Sequence, residues 1–449
     1  MRERAQSSVA LGPSVLASGR SRTKLDPHHL YLCLLSIVLA GYATMGKGFA
    51  YLGYPPLFIG EVTLVLGLLV MYRAGCVWAM LASSPSVLLA VLVLLIAVKA
   101  CLGVESYGLD AVRDGMIVIY GLYAFIVVTL LIEKPERLRW VLRHYSGFAW
   151  AYGLLGGLIY YVTVMAYAPL VYVRAGEAAV HLAGATVFSL LGLRKVSPLW
   201  VLLVIVGITM VSPNRGAMLA CCVPIGIAAI MGGNLRRFGL VLLFALALFL
   251  VAYAAGLNVQ MPGGRTFGPE QIINNIESIA GSNDTSNLDG TKEWRLRWWK
   301  AIVDYTVNGP YFWTGKGFGM GLAEADGFVV GMELGGPMVR SPHNGHLTLL
   351  ARAGVPALVL WLCVLFAWFG MLLRNILAAR NRGDTQWAGV FVWIACYAGS
   401  ILIDASFDVA LEGPMIGIWF WSLFGLGIGA SMIYRHEVVS QRFSAWNPA

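Results

Sequence analysis

The sequence predicts an all-α polytopic membrane protein of about twelve transmembrane helices, with one large polar loop that carries short helices of its own. Three observations lead there. Of 449 residues, 58% are hydrophobic and 12% charged, and mean hydropathy is +0.73, whereas a soluble chain of this length would carry roughly 25% charged residues. Apolar stretches near the ~20 residues that cross a bilayer recur along most of the chain. The alternating pattern of a barrel is absent, which leaves helices as the element able to satisfy backbone groups inside lipid.

Residues 1–29 form a polar, arginine-bearing cytoplasmic segment. A signal peptide begins its apolar core early, so the first apolar run is expected to stay as a span rather than be cleaved. Nine spans follow within 30–256, at about 30–46, 57–72, 82–102, 114–132, 147–168, 177–193, 197–213, 215–232 and 238–256. The second is short and contains Glu61, and Pro198 separates the sixth from the seventh. A loop domain occupies 257–345, helices ten to twelve (347–373, 386–404 and 414–434) lie within 346–434, and 435–449 is a tail. Inside the loop, 270–280 reads as a short helix after Pro269 and 283–290 as turn or coil. Residues 291–308 read as a helix stopped by Asn308-Gly309-Pro310. Trp294, Trp298, Ile302 and Tyr305 follow 3–4 spacing on that last helix. They are expected to lie on the membrane surface with their rings at headgroup level.

The formal charge of +9 is distributed by topology. A cytoplasmic N-terminus places nineteen of the 32 basic residues but only six of the 23 acids on the inner face. This follows the positive-inside rule and puts both termini in the cytoplasm. The surplus is an orientation signal toward a phospholipid bilayer, and no nucleic acid is expected as a partner. Seven cysteines lie in or beside apolar stretches with no CxxC–His pattern, so neither zinc nor a disulfide framework is expected. No internal repeat marks the two halves of a transporter.

The chemically informative residues fall on the outer face and in the loop. Arg215, after Pro213-Asn214, stands at a helix start where backbone N–H groups favour anions; the plain alternative is an arginine snorkelling at the interface. Arg295 and Trp299 are spaced i,i+4 on one face of their helix, with Arg297 on another; an anion site and an interfacial grip on headgroups both fit. His343 and His346, with Asn344 between them, are the only outer-face histidines. An imidazole near neutral pKa takes a proton from a hydroxyl, while a lone histidine at a loop-to-helix junction is often structural. The two are three residues apart with no acid or cysteine nearby, so no metal is expected. Gly315-Lys316-Gly317-Phe318-Gly319 lacks the ending of a nucleotide loop. Asp404, Asp408 and Glu412 cluster between the last two spans, where they are expected to face water, the alternative being a polar cavity closed by pairing with the outer arginines.

The run His343-Asn344-Gly345-His346-Leu347 through Gly354-Val355-Pro356-Ala357 resembles the HN-x-aromatic-L segment of the O-antigen ligase and polymerase superfamily. Arg295 and Trp299 take the two marked positions of a motif similar to that family's R-x-x-x-W helix. Trp313 to Gly319 resembles the G-x-G turn that follows it, and Asn214-Arg215-Gly216 resembles its N/S-R-G motif. Here His346 replaces a common aromatic, and Thr291-Lys292-Glu293-Trp294 replaces a small-residue lead. The resemblance implies a GT-C-like glycosyltransferase on the periplasmic face of the bacterial inner membrane. It implies a metal-independent, inverting O-antigen ligase with no cofactor, which moves a polysaccharide from undecaprenyl pyrophosphate to lipid A-core. In that reading His343 is the base, Arg215 and Arg295 hold the pyrophosphate, and Arg297, His346, Asn344 and Trp299 are secondary. A polymerase or protein O-oligosaccharyltransferase of the same superfamily is the nearest alternative. A transporter or flippase of an anionic lipid-linked glycan is the alternative from another class.

Overall fold

The computed structural model describes residues 26–166, 170–261, 265–280, 286–329 and 340–445. Each of the twelve expected stretches coincides with helix. They are α1 (Pro27–Met45), α3 (Ile59–Arg73), α4 (Ser84–Tyr107), the pair α5 (Leu109–Ile119) and α6 (Leu122–Glu133), α7 (Glu136–Ala166), α8 (Ala175–Leu190), α9 (Pro198–Val211), α10 (Arg215–Met231), α11 (Leu235–Ala254), the pair α15 (Gly345–Ala353) and α16 (Val355–Asn381), α17 (Thr385–Ala405) and α18 (Pro414–Ala445). A one-turn α2 (Lys47–Ala50) and a small antiparallel hairpin, β1 (Gly53–Tyr54) with β2 (Leu57–Phe58), join α1 to α3. Among the described residues, seven helices are long and apolar enough to cross a membrane, or eight if α5 and α6, bent by 42°, form one broken span. The chain is therefore an all-α polytopic membrane protein.

Local chemistry sets the helix starts. Asp26, Ser83 and Ser197 cap α1, α4 and α9 through side-chain oxygens, each with proline in the first turn, where its missing N–H costs nothing. Asn214 caps α10 by accepting from the Ala217 N–H at 3.1 Å. The expected tenth span is divided at Gly354, whose positive φ of 83° turns α15 into α16. Helices α17 and α18 sit deepest, with 78% and 94% of their apolar windows buried, whereas α11 has no buried residue and lies at the periphery.

The loop holds a hairpin, β3 (Val259–Met261) with β4 (Arg265–Phe267), then α12 (Pro269–Ala280), α13 (Ser286–Val307) and α14 (Leu322–Asp326). Two expectations are corrected here. Residues 286–290 are the first turn of α13 rather than coil; 283–285 lie outside the described residues. The aromatic stripe of α13 does not rest on a membrane surface. Trp298 and Ile302 are fully buried in a second core with Leu322, Ala323, Leu350 and Ala351, and Trp298 stacks on Phe328 at 5.5 Å. An apolar stripe at helical spacing demands cover, and here α14 and α15 supply it.

Candidate active site

His343 lies in the turn before α15 and is the only described non-glycine residue with positive φ, at 52°. That conformation is uncommon for an L-residue and persists where neighbours hold it. Asn344 caps α15 by accepting from the His346 and Leu347 N–H groups at 3.0 and 3.1 Å. Trp299 of α13 donates its indole N–H to the Pro342 carbonyl at 2.8 Å. On the other side, Glu412 accepts from Thr348 Oγ1 at 2.8 Å and also from Ser341. The turn is thus gripped before and after His343.

His343 Nδ1 lies 3.3 Å from Asp408 Oδ1. A carboxylate there fixes Nδ1 as the protonated nitrogen and leaves Nε2 as a hydrogen-bond acceptor. Both oxygens of Asp408 also lie 3.2 Å from one guanidinium nitrogen of Arg174, the residue preceding α8. Arg174 Nε bonds Glu177 Oε1 at 3.1 Å, and its backbone N–H bonds the same carboxylate at 3.0 Å. Burial alone would raise the pKa of Asp408, but the hydrogen bond from His343 and the charge of Arg174 outweigh it and lower it to about 2. Asp404, buried one turn earlier, lies against Gly176, where any Cβ would collide with its carboxylate.

Arg295 enters from α13, donating to the Phe407 carbonyl at 2.9 Å; its buried Nε has no hydrogen-bond partner among the described residues. Burial lowers its pKa, attraction to Asp408 opposes that, and repulsion from Arg215 adds to it. Arg215, the first residue of α10, precedes Gly216, which lies against the same Phe407 that accepts from Arg295, so two cations flank one turn beside a buried unpaired donor, an anion-binding arrangement. The approach of this loop to α10 depends on Gly216, since a Cβ there would press on Phe407 at 2.9 Å.

Of the sequence-level candidates, the structure brings together Arg215, Arg295, Trp299, His343 and Asn344. Arg297 points elsewhere, 67% exposed and 3.9 Å from Glu293. His346 turns inward, accepting from Trp361 Nε1 at 3.0 Å at Nδ1 and hydrogen-bonding the Leu402 backbone, and burial lowers its pKa. The three late acids do not face water as expected. Asp408 is paired, Asp404 is buried, and Glu412 is half-buried and accepts from Thr348 and Ser341, because arginines and hydroxyls around them compensate for lost hydration. No group of three or more His, Cys, Asp or Glu side chains able to hold a metal occurs among the described residues.

Arg174 and Glu177 did not emerge from the sequence as site residues. The signal was present: Arg174, like Arg215, is a lone arginine in a short connection at a helix start.

The sequence model of the family described as O-antigen ligase matches residues 199–362. That stretch, just over a third of the chain, is similar to the O-antigen ligase family. The likeness supports a relation to the O-antigen ligase and polymerase superfamily and points to glycosyltransferase-like chemistry on a lipid-linked glycan. No curated protein matches the chain. The matched stretch contains Arg215, Arg295, Trp299 and His343, while Arg174, Glu177, Asp404, Asp408 and Glu412 lie outside it. The helices on either side of that stretch thus complete the constellation.

Proposed function

We propose that the protein is an O-antigen ligase of the bacterial inner membrane, with its site facing the periplasm and both termini in the cytoplasm. It takes a polysaccharide from undecaprenyl pyrophosphate, its substrate, and joins it to a sugar hydroxyl of lipid A-core. The observation that carries this reading is the pairing of His343 with Asp408 beside Arg295 and Arg215. It joins a base and an anion clamp at one end of the bundle.

With Nδ1 held by Asp408, His343 Nε2 accepts the proton of the acceptor hydroxyl as its oxygen bonds to the anomeric carbon. The bond from that carbon to the pyrophosphate oxygen breaks, and its electron pair leaves with undecaprenyl pyrophosphate. Arg215 and Arg295 stabilise the charge that grows on the leaving group, the task a divalent cation performs elsewhere. Attack opposite the leaving group inverts the anomeric centre, and no covalent enzyme intermediate forms. Arg174 holds Asp408 in place, Trp299 and Asn344 shape the histidine turn, and neither Arg297 nor His346 touches substrate.

Loss of the gene separates ligase from polymerase. A ligase leaves core-only lipopolysaccharide with long lipid-linked chains accumulating. A single repeat attached to the core would identify a polymerase and overturn this reading.

A further inference from the structure

At the opposite end of α10 from Arg215, about 25 Å along the helix, lies a cavity of about 400 Å³. Asn234, Arg380 and Thr385 form its polar mouth, Leu191 and Val392 its apolar floor, and Ile230 its exposed apolar rim. The lining contains one cation and no acid. Arg380, and Arg236 and Arg237 just beyond Asn234, are exposed and form no ion pair among the described residues. The nearest acid in sequence, Asp384, is engaged in capping α17 through the Trp387 N–H at 3.1 Å.

The cavity continues into an apolar wall. Ile230 is 67% exposed, and Val223 and Ile227 are exposed above it on α10. Helix α11, which starts at the cavity mouth, has no buried residue. A polar, cationic mouth leading into an uncovered apolar helix face matches an amphiphile with an anionic head, and a soluble phosphate would leave the wall unused.

We propose that this pocket binds the phosphate of an anionic glycerophospholipid from the leaflet opposite the candidate active site, with the acyl chains lying along α10. The site is separate from the glycosyl-transfer chemistry and does not rest on it. Gly389 on the floor offers a variant that keeps the charge but removes the space: a Cβ there makes only ordinary contact with Leu193 at 3.5 Å.

The test is native mass spectrometry of the purified full-length chain in detergent, titrated with short-chain phosphatidylglycerol, with phosphatidylcholine of equal chain length, and with glycerol 3-phosphate. Phosphatidylglycerol is expected to bind at least about tenfold more tightly than phosphatidylcholine, and glycerol 3-phosphate not to compete. Arg380→Gln is expected to weaken phosphatidylglycerol binding about fivefold, and Gly389→Leu to abolish it. Equal retention of the two lipids, unchanged binding in either variant, or competition by glycerol 3-phosphate would overturn the proposal. If Gly389→Leu does not fold, Arg380→Gln decides alone.

Discussion

Arg295 and Arg297 stand two residues apart on one helix and meet different surroundings. Arg295 is half-buried against the Phe407 carbonyl and near Arg215, while Arg297 is in water. Charge-assisted hydrogen bonds contribute about 1.5–3 kcal/mol each. Arg295→Ala should therefore slow transfer about 10- to 100-fold, and Arg297→Ala should stay within about twofold of wild type, in initial-rate assays with lipid-linked glycan. Asp408 yields a pH-dependent prediction. Its pKa in the folded protein is about 2, below the ordinary ~3.9. Its ion pairs therefore stabilise the fold fully above about pH 4 and lose that effect as pH falls toward 2. Nearly two pKa units correspond to roughly 2.5 kcal/mol, an upper figure for a carboxylate that is 26% exposed. In thermal melts in detergent, Asp408→Asn should lie below wild type at pH 5, and the gap should close toward pH 2.

At the scale of elements, α13 joins the loop core to the site. One face buries Trp298 and Ile302; Arg295 and Trp299 reach the turns that carry Phe407 and Pro342. Trp298 also donates its indole N–H to Asp326 at 2.6 Å. Trp298→Ala should cost about 3–5 kcal/mol, read as faster proteolysis of the loop and a lower melting temperature. A variant of wild-type stability that only bound vesicles less tightly would restore the membrane-surface reading. The 3–4 pattern was legible in the sequence, but periodicity defines an apolar face without saying what covers it. The connection 406–413 was misread for a similar reason. Its acids looked solvated because their partners, Arg174 and Thr348, lie 234 and 64 residues away.

Across the whole molecule, hydropathy located every membrane-length stretch, and Asn214 marked the start of α10. The breaks within two stretches, between α5 and α6 and at Gly354, were passed over because mean hydropathy stays high across both, although Arg352, Gly354 and Pro356 punctuate the second. Within the site, Arg215, Arg295 and His343 were readable because they sit in recognisable local motifs. Arg174 and Asp408 come from opposite sides of the matched stretch and meet only after the bundle has packed. The central claim joins these levels: the bundle assembles a base and an anion clamp for glycan transfer. Its most direct test is transfer by the purified chain from undecaprenyl-pyrophosphate-linked glycan to lipid A-core, with wild type and His343→Ala compared in the presence of EDTA. Wild type is expected to form product at an undiminished rate with the chelator, and His343→Ala to form almost none while keeping its fold and donor binding. Wild-type turnover by His343→Ala, or loss of wild-type activity to EDTA with rescue by a divalent ion, would contradict it.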